Sequence, residues 1–175
     1  MKPPRQPFDS GSRAGRSTRR VALYGGSFDP PHLGHVLAVC WALSAHAVDE
    51  VWVLPVFTHR FGKTPAPFAA RMRWCEAAFA CFGDRVTVSD AERVACDAGG
   101  SGSTFELVEH LRDRGTVTDR TELQLLMGSD QLGALDKWHR STELFARVRP
   151  LVIGRAGHDA GRGAGVVVPD VSSTA

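Results

Sequence analysis

The sequence predicts an α/β fold: a Rossmann-like, doubly wound parallel sheet of five to six strands with helices on both faces. Three observations predict it. Short apolar runs that read as buried strands alternate with longer segments of helical periodicity. The first run ends on paired glycines that lead through a Pro-Pro turn into a helix. Positions just after the strands collect Gly, Ser, Asp and Arg, as a ligand-binding rim would.

The elements follow in order. Val21-Ala22-Leu23-Tyr24 is short and apolar and stops at Gly25-Gly26, so it reads as a buried parallel strand. A largely apolar helix follows over residues 34–45. The run Val51-Trp52-Val53-Leu54-Pro55-Val56-Phe57 is a second strand. Residues 66–82 carry Phe68, Met72, Cys75, Ala78, Phe79 and Phe82 at helical spacing. Residues 85–89 read as a short third strand. Ser103-Thr104 caps a helix to about residue 113, with Leu107, Val108 and Leu111 facing inward. Residues 122–127 form a fourth strand ending at Gly128. Short helices over 131–137 and 142–148 come next, then strands at 151–153 and 166–168. The glycine-rich stretches 97–103 and 154–165 read as surface loops.

Length and composition narrow the function classes. At 175 residues, 43% hydrophobic and 23% charged, the chain is ordinary globular material for one domain. No stretch approaches the roughly 18–20 apolar residues of a membrane-spanning helix. The net charge of +2 conceals an asymmetry. Residues 1–20 hold six basic residues and one acid (+5), so residues 21–175 sum to −3. The expectation is a flexible basic arm over 1–20 and one catalytic domain over 21–175, with no nucleic-acid or membrane partner. Residues 1–20 lack the apolar core of a secretory signal. Cys40, Cys75, Cys81 and Cys96 form no zinc-type spacing, and they read as buried thiols of a cytoplasmic protein.

The chemistry concentrates in Gly25-Gly26-Ser27-Phe28-Asp29-Pro30-Pro31-His32-Leu33-Gly34-His35, between the first strand and first helix. Glycines permit close backbone approach to a ligand, and amides at a helix start point donors at an anion. Two histidines three apart at that start fall on one side of a turn. Imidazoles donate hydrogen bonds, and charge when protonated, where a phosphate accumulates negative charge. No G-K-[ST] follows, and the dinucleotide pattern G-x-G-x-x-G is absent.

The string resembles the G-G-[ST]-F-D-P-x-H-x-G-H signature of the HxGH nucleotidyltransferase superfamily. Leu126-Met127-Gly128-Ser129-Asp130-Gln131-Leu132 with Trp138 resembles the G-x-D…W segment of bacterial nicotinate (nicotinamide) mononucleotide adenylyltransferases. Val171-Ser172-Ser173-Thr174 resembles the start of their I-S-S-T-x-[IV]-R motif. Together these segments span residues 21–174. The resemblance implies transfer of AMP from ATP to nicotinate mononucleotide, in NAD biosynthesis. Its substrates are then ATP and that mononucleotide, with Mg²⁺ carried on the ATP phosphates and no protein metal site.

By the same resemblance His32 contacts the α-phosphate in the transition state, and His35 binds phosphates at the helix start. Gly25, Gly26, Ser27 and Phe28 supply loop contacts, Gly128 and Asp130 hold the adenosine ribose, and Ser172, Ser173 and Thr174 take the β- and γ-phosphates. Arg155 sits on the fifth strand's rim, facing adenine or substituting for a phosphate contact. On the acceptor side Trp138 either stacks on the pyridine ring or anchors a helix. Thr104 either holds the nicotinate or caps its helix, or does both.

Relatives carry P-P-H-[KR] after the second strand. Here the segment is Phe57-Thr58-His59-Arg60-Phe61-Gly62-Lys63, so only His59-Arg60 matches in part. Lys63, followed by Pro67-Phe68-Ala69-Ala70-Arg71, resembles phosphopantetheine adenylyltransferases instead. Lys63 either contacts a phosphate or is a solvated loop lysine. The sequence stops at Ala175, before the family's hydrophobic residue, Arg and final helix. That leaves two alternatives to the main reading: another HxGH transferase with phosphopantetheine as acceptor, and an inactive nucleotide-binding module.

Overall fold

The computed structural model describes residues 18–45, 48–58, 65–155 and 167–168. Six parallel strands run β1 (Arg19–Gly26), β2 (Glu50–Pro55), β3 (Val86–Val88), β4 (Thr121–Gly128), β5 (Val148–Arg155) and β6 (Val167–Val168). Their order across the sheet is β3-β2-β1-β4-β5-β6. The helices are α1 (Leu33–Ala45), α2 (Phe68–Phe79), α3 (Ala91–Asp97), α4 (Thr104–Asp113) and α5 (Ser141–Arg147). The doubly wound sheet matches the expected fold. No helix among the described residues is long and apolar enough to cross a membrane.

Strand periodicity assigns the two faces. Ala22 and Tyr24 of β1 point to a core built with Val51 and Val53 of β2, Val39 and Ala42 of α1, and Cys75 and Phe79 of α2. Val21 and Leu23 point the other way, to Trp52, Leu54, Ala91, Ala95, Val108, Leu111, Leu123, Leu125 and Leu144. So α1 and α2 cover one face and α3, α4 and α5 the other. Val21, Ala22 and Leu23 are completely buried, as a central strand covered on both sides requires.

Several boundaries differ from the sequence reading. β1 starts at Arg19, inside the stretch expected to be a flexible arm. Arg19 Nε donates to Glu50 at 2.8 Å, and the Arg20 amide donates to the Asp49 carboxylate at 2.9 Å. Those carboxylates at the start of β2 draw the two arginines into the sheet. β2 ends at Pro55, two residues early. α2 ends at Phe79, where the chain tightens into a 3₁₀ segment, Ala80–Arg85, turned by Gly83 at φ 57°. The segment Ser129–Lys137 is likewise 3₁₀ rather than α-helical. α3 was not expected from the sequence; its seven residues are too few for periodicity to register. Ser103, not Thr104, is the cap of α4: its hydroxyl accepts from the Glu106 amide at 3.3 Å.

The cysteines also differ. Cys75 alone is buried, while Cys40 and Cys81 are exposed and Cys96 is half-buried. An apolar helix lying on a sheet still presents one side to water, where Cys40 of α1 falls, and Cys81 lies in the 3₁₀ segment beyond the end of α2.

Candidate active site

Ligands of doubly wound sheets bind beyond the carboxyl ends of the strands, where strand order reverses. Here that point lies between β1 and β4. The register fixes the rim: Gly26 lies opposite Pro55, and Gly128 opposite Ile153. Between β1 and β4 the pairing ends at Leu23 and Leu125, although the strands continue to Gly26 and Gly128. In this fold class the ligand crevice lies beyond these two strand ends. The loop after β1 and Ser129-Asp130 after β4 leave the strands at that rim.

The loop after β1 is anchored by Phe28. Its backbone adopts a left-handed φ of 47°, and its side chain is 1% exposed. The ring packs against Tyr24 (5.4 Å between centroids), His35 (4.9 Å) and Phe79 (6.1 Å). Only the main chain of Phe28 is therefore available to a ligand, which narrows its expected role. Gly26 makes room for the ring, since a Cβ there would sit 3.0 Å from Phe28 Cζ. Gly25 is different: it is exposed, and a Cβ would meet nothing within 4 Å.

His32 and His35 meet at the start of α1. Their ring centroids are 3.8 Å apart with an interplanar angle of 33°. Both are half-buried. The His32 amide donates to His35 Nδ1 at 3.1 Å, and the His35 amide donates to the His32 carbonyl at 2.9 Å. A neutral His35 with an accepting Nδ1 carries its proton on Nε2, so its remaining nitrogen is a donor. Phe28 and Tyr24 hold this ring from beneath. The two rings are therefore close together, although His32 Nδ1 itself is shielded from solvent.

A second layer ties the loop to α2. Asp29 accepts from the Ala66 amide at 3.2 and 3.3 Å. Arg71 is 1% exposed; its Nη1 donates to the Ser27 carbonyl at 2.9 Å and its Nε to the Ala66 carbonyl at 3.0 Å. After β2, the Val56 amide donates to the Gly26 carbonyl, and the Phe57 amide to Glu92 Oε1, both at 2.9 Å. Sequence reasoning missed Glu92, because the helix carrying it was itself unseen. Arg71 had a readable signal: it lies four residues before Cys75, on the buried stripe of α2, where an arginine is out of place.

Across the crevice Ser129 is buried and Asp130 half-buried, with Gln131 Nε2 donating to Asp130 Oδ2 at 2.8 Å. Trp138 packs on the core beside Phe145, with centroids 6.3 Å apart. The turn it begins reaches the start of α4: His139 lies 6.2 Å from the Phe105 ring, and the Arg140 guanidinium 4.1 Å above it. Thr104 and Trp138, far apart in sequence, thus flank one contact. His59, Lys63, Ser172, Ser173, Thr174 and the side chain of Arg155 lie outside the described residues.

A parallel doubly wound sheet with paired imidazoles on the first strand's glycine-rich exit defines a nucleotide-handling α/β protein. Residues 23–174 match the family described as Cytidylyltransferase-like, and the chain belongs to that family. A relative in Anaeromyxobacter sp. (strain K), named "Probable nicotinate-nucleotide adenylyltransferase", is 41% identical over 157 residues, covering 89% of this chain and 81% of the relative. Its namesake in Myxococcus xanthus (strain DK1622) is 36% identical over 164 residues, covering 91% and 80%. Among solved structures, Plasmodium falciparum nicotinic acid mononucleotide adenylyltransferase complexed with NaAD superposes with a TM-score of 0.68 at 15% identity. That match covers 86% of this chain and 74% of the other, and it shows the shared fold.

Proposed function

We propose that the protein is a nucleotidyltransferase that moves AMP from ATP to nicotinate mononucleotide, giving deamido-NAD and pyrophosphate. The observation that carries this reading is the close His32–His35 pair, with ring centroids 3.8 Å apart, beside Gly25 and Gly26 at the point where strand order reverses. The names of the 36–41% identical relatives support the choice of acceptor.

The acceptor's phosphate oxygen attacks the α-phosphorus, the bond from that phosphorus to the β-bridging oxygen breaks, and pyrophosphate leaves. The protein supplies no nucleophile; it positions the reactants and stabilises charge. His32 donates to the α-phosphate oxygens as charge builds there. His35 Nε2 and the amides of the β1 exit hold the neighbouring phosphates. Asp130, with Gly128, accepts from the ribose hydroxyls. Ser172, Ser173 and Thr174 take the β- and γ-phosphates, and Arg155 faces the adenine. On the acceptor side Trp138 and Thr104 border the pyridine, while His59 and Lys63 meet its phosphate. Mg²⁺ arrives as part of the ATP substrate, coordinated largely by phosphate and water. The reaction belongs to NAD biosynthesis in the cytoplasm.

The test is pyrophosphate release from purified protein with ATP and nicotinate mononucleotide, nicotinamide mononucleotide or phosphopantetheine. Turnover highest with nicotinate mononucleotide is expected; turnover with phosphopantetheine alone would overturn the reading. His32→Ala should cut turnover by about 10²–10³, the cost of losing one oxyanion-type donor, with ATP affinity little changed. An unaffected rate would remove His32 from its role.

A further inference from the structure

We propose that Arg71 is a positioning residue for the triphosphate: it aims the Ser27–Phe28 peptide at the ligand and lends that peptide its charge. The proposal deepens the function proposed above and rests on it.

Arg71 is 1% exposed, and burying a guanidinium is unfavourable unless hydrogen bonds or counter-charge compensate. Among the described residues no carboxylate forms an ion pair with it. Its donors go instead to two backbone carbonyls, Ser27 at 2.9 Å and Ala66 at 3.0 Å, while its guanidinium lies 5.4 Å from the Phe68 ring. A carbonyl is a dipole, so these contacts engage two of the five N–H donors without cancelling the positive charge.

The Ser27 contact has a geometric consequence. The carbonyl of Ser27 and the N–H of Phe28 belong to one planar trans peptide, so they point in opposite directions. Drawing the carbonyl inward to Arg71 turns the Phe28 N–H away from the buried guanidinium. Phe28 locks the same peptide from the other side, because its left-handed backbone and buried ring leave no freedom to flip. The polarised N–H then adds a main-chain donor beside His35, whose ring rests on Phe28. A second contact closes the arrangement: Asp29 holds the Ala66 amide, while Arg71 holds the Ala66 carbonyl. The start of α2 and the phosphate loop are thereby one unit.

This assignment predicts where a defect appears. Arg71 holds the phosphate loop directly through Ser27 and reaches the 57–66 segment only through Ala66, so its loss should weaken ATP more than the acceptor. Arg71→Gln removes the charge and the fork that spans both carbonyls. Arg71→Lys keeps the charge, but a single ammonium replaces the fork. Calorimetric ATP affinity and steady-state constants for both substrates are measured on wild type and both variants, with thermal melting to establish folding. Arg71→Gln should weaken ATP by about ten- to hundredfold, the scale of charge-assisted hydrogen bonds, with a clearly smaller rise in the acceptor KM. Arg71→Lys should fall between it and wild type. Unchanged ATP affinity in a folded variant overturns the proposal, as does an equal rise in both KM values, the mark of general loosening. If Arg71→Gln does not fold, Arg71→Lys decides on the same criteria. Wild-type protein that uses a different acceptor would sink the acceptor assignment while leaving the ATP comparison decisive for Arg71.

Discussion

Gly25 and Gly26 are neighbours at the exit of β1, yet the structure assigns them opposite sensitivities. Replacing Gly26 by alanine places a Cβ 3.0, 3.1 and 3.4 Å from three atoms of the Phe28 ring. The first two distances are too short for the ring to stay where it is. It cannot retreat, because Tyr24, His35 and Phe79 enclose it at 1% exposure. Overpacking of this kind costs about 1–3 kcal/mol, and here the displaced ring carries His35 with it. Gly25 has no atom within 4 Å of an added Cβ and no left-handed φ. Alanine there leaves stability unchanged or raises it by about 0.4–1 kcal/mol through the unfolded chain. The new methyl instead occupies the exposed side where the phosphates are proposed to lie. Urea unfolding and calorimetric ATP titration separate the two. Gly26→Ala should lower stability and turnover together; Gly25→Ala should keep stability and lose ATP affinity. Wild-type stability in Gly26→Ala would refute the packing argument. Undiminished ATP affinity in Gly25→Ala would refute the proposed place of the phosphates.

Two further predictions concern titration and reactivity. Hydrogen bonds from the Ser101 hydroxyl and amide, each 2.7 Å, hold the Glu106 carboxyl down at about 2, against an ordinary value of 4.5. The folded state therefore binds fewer protons than the unfolded chain between those values, so this stabilisation is complete above pH 4.5 and lost as pH falls toward 2. Glu106→Gln should be less stable than wild type by no more than about 1 kcal/mol at pH 7, since the group faces solvent. Denaturant titrations should find that gap closing on acidification; a gap constant with pH refutes the link. For the cysteines, burial pushes the Cys75 thiol up to about 12, with the Arg71 charge opposing that rise. Alkylation of native protein at pH 8, read by mass spectrometry, should label Cys40 and Cys81 first and Cys75 only on unfolding. Labelling of Cys75 at the rate of Cys40 would show that α2 does not seal the core.

The sequence by itself determined the alternation of strands and helices, and with it the sheet, because buried parallel strands are written as uninterrupted apolar runs such as Val21–Tyr24. It also determined the histidine loop, since Gly-Gly, Pro-Pro and two histidines three apart are local chemistry within eleven residues. What lay beyond it is contact between distant segments. That Arg19 and Arg20 belong to β1 follows from Glu50 and Asp49, some thirty residues away. That Phe28 is an anchor rather than a ligand contact depends on space left by Tyr24 and Phe79. Arg71 and Glu92 acquired their places only when α2 and α3 were laid against the strand exits, 44 residues from Ser27 in one case and 35 from Phe57 in the other. Periodicity registers which side of an element is apolar; only packing decides which backbone carbonyl or amide a buried charged side chain will find.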